Sequence, residues 1–159
     1  MKLKDKTQIA GIVLSLLMFF TLLNSSYFFL YMMKLSIGKW LSFNACSLVI
    51  IVYLICFVSF QITRKDYLLA ISLLPLYYYG TMGLFLMPWD KVNTFSQITH
   101  VIITMNVLWL LWRFLKERKF ESLGKGTLIG ILVFVPVFAA IQSYTQSHIN
   151  EFLQLLEKF

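Results

Sequence analysis

Residues 40–62, "WLSFNACSLVIIVYLICFVSFQI", run for 23 positions without one acidic or basic side chain. Wound as an α-helix, that stretch is about 35 Å long, and about 20 apolar residues suffice to cross the hydrocarbon of a bilayer. The run stops at Thr63-Arg64-Lys65-Asp66, and another apolar run begins at Tyr67. Two apolar runs joined by a tight charged turn have the form of a membrane hairpin.

The pattern recurs on both sides. Five runs are long enough to span, at about 8–33, 40–62, 67–87, 95–115 and 127–146. Period-2 alternation is weak, so helices with internally paired backbones are expected rather than a barrel. The breaks have local causes. Lys34 to Lys39 contains Gly38 and two cations, and Lys116 to Gly126 carries charges and two glycines. Pro88-Trp89-Asp90-Lys91 joins a helix breaker to two charges. Of the 159 residues, 59% are hydrophobic and 13% charged, where about 25% charged is usual in soluble domains. A core of this size cannot absorb so much apolar surface in water. The expected fold is a single all-α membrane domain over residues 1–159, with five transmembrane helices in the cell membrane.

The cations set its direction. Five spans place Lys2, Lys4, Lys6, Arg64, Lys65, Arg113, Lys116, Arg118, Lys119 and Lys125 on one side. Lys34, Lys39, Lys91 and Lys158 fall on the other, ten against four of the 14 cations. Cation-rich segments stay in the cytoplasm, which puts the N-terminus inside and the C-terminus outside. The net charge of +7 then reflects topology and anionic lipid. Nucleic-acid binding would need a basic face on a soluble module, and none is visible. The first run is too long for a signal peptide and lacks an A-x-A-like site, so it is read as a retained helix. The tail "HINEFLQLLEKF", His148 to Phe159, has Ile149, Phe152, Leu153 and Leu156 at helical spacing. It is expected as an amphipathic surface helix or an extension of the fifth helix.

This orientation gathers the polar residues toward the outer leaflet. They are Asn24, Tyr27 and Tyr31 in the first run, Asn44 and Ser47 in the second, and Tyr77, Tyr78, Tyr79 and Thr81 in the third. Gln97 and His100 follow in the fourth, and Gln142 to His148 in the fifth. At 100° per residue, Asn93, Gln97, His100 and Thr104 share an arc of about 60°, and Thr21, Asn24, Tyr27 and Tyr31 share a face. Intramembrane polar groups usually face the bundle interior or a wet cavity. The expectation is a polar ligand-binding pocket, open outward, lined by Asn24, Tyr27, Tyr31, Asn44, Tyr78, Gln97, His100 and Thr104. Other readings compete for these residues. Thr94-Phe95-Ser96-Gln97 fits a capping box. Asn24, Asn44 and Asn106 suit interhelical hydrogen bonds, and Gly126 with Gly130 suits close helix packing. Trp40 and Trp89 suit an outer aromatic belt, and Trp109 and Trp112 an inner one.

His100 and Asp90 are the candidate acid–base pair. His100, His148, Asp90 and Glu151 are predicted on one side, where a metal site is geometrically feasible. H-x-x-x-H, H-E-x-x-H, C-x-x-C and Gly-rich phosphate loops are absent from the sequence, so neither metal nor cofactor is expected. Cys46 and Cys56 would lie about 15 Å apart on one helix, too far for a disulfide. The function expected is that of a small multi-pass protein binding a small molecule, lipid or partner subunit in the outer pocket, as a transporter component or accessory subunit. Its partners would be the lipid bilayer and a membrane protein or a second copy. Two alternatives stand beside it: a membrane-embedded enzyme acting on a lipid or isoprenoid at the outer leaflet, and a structural or assembly subunit.

Overall fold

A computed structural model describes residues 6–91 and 93–156. It is 86% helix, and no strand occurs among the described residues. Five helices are long and apolar enough to cross a membrane: α1 (Lys6–Met32), α3 (Ala45–Thr63), α4 (Tyr67–Leu86), α5 (Thr94–Lys116) and α6 (Phe120–Ser147). The short α2 (Ile37–Phe43) precedes α3, and α7 (Ile149–Leu156) follows α6.

Two boundaries depart from the sequence expectation. The second run does not begin its long helix at Trp40. Ser36 caps α2 by accepting from the Lys39 amide, and the chain leaves helical geometry at Asn44 (φ −122°, ψ 70°) before restarting at Ala45. Asparagine competes with the helix for its hydrogen bonds, and here the Asn44 side chain donates to Ser25 Oγ at 2.9 Å. The fifth long helix starts at Phe120 rather than near Thr127. Gly124 and Gly126 do not break it, because Gly126 is where it packs. A Cβ at Gly126 would stand 2.3 Å from the Tyr67 carbonyl oxygen, and one at Gly130 would stand 2.8 Å from the Ile71 carbonyl oxygen. Gly126 and Gly130 thus let α6 and α4 approach backbone to backbone, as G-x-x-x-G pairs do.

The core lies around α5. Ile103, Val107, Leu110 and Phe114 recur at helical spacing and pack with Met18 of α1, Tyr53 and Phe57 of α3, and Leu69 and Leu76 of α4. Small residues bring α1 close: a Cβ at Gly11 would be 2.2 Å from the Trp109 ring, and Ser15 Oγ lies 2.9 Å from the Tyr53 hydroxyl. Trp40 and Trp109 are therefore interior rather than belt residues. Their indole N–H groups donate to Ser25 Oγ (3.0 Å) and to the Thr7 carbonyl (2.8 Å), while Trp89 and Trp112 are exposed.

α1 and α4 each contain a wide turn. Residues Tyr27–Met32 and Leu76–Thr81 are wound as π-helix. The Met33 amide reaches back five residues to the Phe28 carbonyl (3.0 Å), and the Met82 amide to the Tyr77 carbonyl (3.1 Å). In α4 the wide turn follows directly on Pro75, which itself has no N–H to offer the preceding turn.

Candidate functional site

Polar side chains collect at both ends of the bundle. One end holds Arg64, Arg113 and Lys119; the opposite end holds His100, Asn44 and Asp90.

At the His100 end, α5 presents Gln97, His100 and Thr104 to the interior together. His100 is only 2% exposed. Its Nε2 lies 3.1 Å from Cys46 Sγ of α3, and that thiol donates to the Tyr79 carbonyl of α4 at 3.0 Å. The imidazole occupies the place of a missing side chain, since a Cβ at Gly83 would stand 2.6 Å from the ring. Gln97 Nε2 donates to the Met87 carbonyl at 2.5 Å, and Thr104 Oγ1 to the His100 carbonyl at 2.8 Å. Asn44 belongs to a second knot, where Ser25 Oγ accepts from Asn44 Nδ2 and Trp40 Nε1 and lies 2.7 Å from Ser47 Oγ. Asn44 is thus an interhelical fastener. Asn106 is not: its Nδ2 bonds the Ile102 carbonyl of its own helix at 2.9 Å. Tyr78 bridges to α6, accepting from Gln142 Nε2 at 2.6 Å and stacking on Phe138 at 5.2 Å.

The remaining expected pocket residues point elsewhere. Asn24 is exposed, as are Tyr27 (57%) and Tyr31 (69%), whose rings stack at 5.2 Å. The Asn24 amide makes no hydrogen bond to another described residue. The reason is rotational. Gly11, Leu14, Ser15 and Met18 form the buried face of α1. At 100° per residue, Asn24, Tyr27 and Tyr31 fall roughly opposite it. The eight residues expected to line one pocket therefore occupy separate places, and only the α5 trio and its neighbours share an interior.

The candidate chemistry at this end is likewise dispersed. Asp90 Oδ1 accepts from the Asn93 amide (2.8 Å) and Oδ2 from Asn93 Nδ2 (3.0 Å), while Thr94 Oγ1 donates to the Asp90 carbonyl (2.9 Å). Asp90 thus organises the turn before α5. The capping box is not formed, because no side chain caps this helix start and the Gln97 amide is turned to Met87. His148 stacks on Tyr144 at 4.2 Å, and Glu151 pairs with Lys39. No cluster of three or more His, Cys, Asp or Glu side chains able to hold a metal occurs among the described residues. Cys46 and Cys56 are unpaired thiols on α3.

The Lys39–Glu151 pair fastens α7 to α2. The Lys39 hydrogen bond holds the Glu151 carboxyl below its usual 4.5, and the same bond raises the Lys39 ammonium above 10.5. The depressed carboxyl contributes above its ordinary value and is lost as pH falls through the lowered one. The raised ammonium contributes below 10.5 and is lost as pH climbs through its raised value. Limited proteolysis at the His148 junction should therefore be slow from about pH 5 to 10 and quicken outside that window. A Glu151→Gln variant should be quick throughout, and a flat wild-type profile would count against the tether.

The opposite end contains a site whose charges, in the sequence, served only as topology signals. A cavity of about 240 Å³ is lined by Arg113 of α5, by Arg64, Asp66, Glu117 and Lys119 of the adjoining turns, by Phe60 of α3, and by Thr7 and Gln8 of α1. Arg113 Nη2 donates to Asp66 Oδ1 at 2.7 Å and to Glu117 Oε2 at 3.3 Å. Lys119 Nζ lies 2.7 Å from Asp66 Oδ2 and 2.7 Å from Glu117 Oε2. The Arg113 guanidinium stacks 4.4 Å above the Phe60 ring, and its Nε is buried without a hydrogen-bond partner. Burial pulls the Lys119 ammonium down, but hydrogen bonds to Asp66 and Glu117 outweigh it and leave its pKa raised. The legible signal was spacing: Ile103, Asn106, Leu110 and Arg113 follow a 3-4-3 rhythm, so the arginine continues the buried stripe of α5.

The chain matches no protein-family model, no curated protein and no solved structure. What stands is its class, an all-helical chain with five helices fit to cross a membrane.

Proposed function

We propose that this chain is a non-catalytic, multi-pass subunit of the cell membrane that works by association within the bilayer, with α1 as its docking face. The cation distribution supports a cytoplasmic N-terminus and an external C-terminus. The observation that carries the docking role is the outward stripe of Asn24, Tyr27 and Tyr31 on α1. Asn24 lies well inside the apolar length of that helix. An amide facing lipid there has nothing to bond, and such groups are normally turned toward another helix. The occupant we assign is a second copy of the chain. An asparagine amide both donates and accepts, so two copies related by a twofold axis satisfy each other's Asn24, with the stacked tyrosines packing beside the pair.

Oxidative crosslinking of purified protein in liposomes tests this. A Tyr31→Cys variant should form a disulfide-linked dimer, whereas Phe85→Cys, also exposed but on α4, should not. Asn24→Leu should lower the dimer yield several-fold while leaving helicity intact. Wild-type protein that stays monomeric at every protein-to-lipid ratio overturns the assignment, and crosslinking that is equal at Tyr31 and Phe85 does the same.

A further inference from the structure

We propose that the cavity at the Arg113 end binds a phosphate group, carried by an anionic lipid headgroup or free in solution. Among the described residues its walls hold three cations, Arg64, Arg113 and Lys119, against two carboxylates, Asp66 and Glu117. Both carboxylates are engaged internally, by Arg113 and Lys119. Positive charge is left over, and Arg64 supplies it, because among the described residues its guanidinium bonds only the neutral Gln61 Oε1, at 3.2 Å. Arg113 is 8% exposed overall, and its Nε–H is a buried donor with no acceptor. Leaving a buried donor unmade is costly, so an oxygen ligand is the natural complement. A water would satisfy Nε alone. The surplus charge favours an anion, and a planar guanidinium suits the oxygens of a phosphate. The cavity's 240 Å³ is several times the roughly 30 Å³ share of one water. This site is independent of whether the chain dimerises through α1.

The experiment uses the full chain purified in detergent. Phosphatidylglycerol and phosphatidylcholine are titrated separately, with retention read by native mass spectrometry, and inorganic phosphate is added as competitor. Phosphatidylglycerol should bind the wild type at least about fivefold more tightly than phosphatidylcholine, whose choline cancels the charge. Arg64→Gln should lower phosphatidylglycerol affinity about fivefold, while Arg118→Gln, which removes the same charge outside the cavity, should change it less than about twofold. Arg113→Lys keeps a cation for Asp66 but deletes the Nε donor, and it should lower phosphatidylglycerol affinity comparably without altering the Arg64 turn. Competition by inorganic phosphate identifies a site open to the free anion; retention of lipid despite phosphate identifies a headgroup site. Equal losses in Arg64→Gln and Arg118→Gln mean diffuse attraction to a basic surface and overturn the proposal. So does equal binding of the two lipids.

Discussion

Gly126→Leu will separate α6 from α4 and lower the stability of the purified protein by about 2–3 kcal/mol. The contact leaves no room for compromise. A Cβ at Gly126 meets the Tyr67 carbonyl oxygen at 2.3 Å and Ala70 Cβ at 2.5 Å, so part of what it strikes is backbone. Backbone within a helix cannot swing aside as a side-chain tip can. Gly130, one turn on, makes the same demand against Ile71, so α6 would have to lift rather than tilt. An internal control lies two residues away. A Cβ at Gly124 meets nothing within 4 Å, and Gly124→Leu should be neutral or slightly stabilising, because leucine is the better helix former by several tenths of a kcal/mol. Unfolding of both variants in a denaturing-detergent titration checks the pair. Equal midpoints for Gly126→Leu and Gly124→Leu would show that the close approach is not made.

Asp66→Asn will be the costliest single change at the Arg113 end, at roughly 3–5 kcal/mol. Asp66 receives Arg113 on one oxygen and Lys119 on the other, both at 2.7 Å. The Arg113 and Asp66 side chains are only 10% and 15% exposed, against 36% and 40% for Lys39 and Glu151. That difference in solvent access decides the ranking. An exposed pair is worth about 0–1 kcal/mol, whereas removing one member of a buried pair strands the other's charge. Glu151→Gln should therefore loosen α7 with little effect on global unfolding. Adding Arg113→Met to Asp66→Asn should recover part of the loss, because the stranded charge is gone and an apolar chain still covers Phe60. A double variant no more stable than Asp66→Asn alone would show that the energy lies elsewhere in the network. The same unfolding titration reads out all four proteins.

Much of the helical layout was legible because span length and charged breaks are local properties. Arg64-Lys65-Asp66 separates α3 from α4 whatever surrounds it, and Gly126 with Gly130 announced their packing by spacing. The sense of a helix face is not local. Asn24, Tyr27 and Tyr31 were read correctly as sharing a side of α1, but polarity suggested that this side faced inward. Size decided otherwise: Gly11 and Ser15 admit Trp109 and Tyr53, so the small-residue face turns to the core. The Arg113–Asp66 pairing was hidden for another reason. Its members are 47 positions apart, and each had already been accounted for as an interfacial charge. Trp40 and Trp109 were hidden by their residue type, since indoles near span ends are so often interfacial.

The π-wound stretch Leu76–Thr81 has a bearing on how this chain tolerates changes in length. A π turn stores about one residue more than the same height of α-helix. Deleting one residue between Pro75 and Thr81 would let α4 rewind regularly with its hydrogen bonds kept, a lesion most helices would not absorb. The slack, however, fixes the rotation of the last turn of α4. Taking it up rotates Gly83 by up to about 100° and sets a neighbouring side chain against the His100 ring. The length of this stretch is therefore constrained by the gap that imidazole fills, not by the helix that contains it.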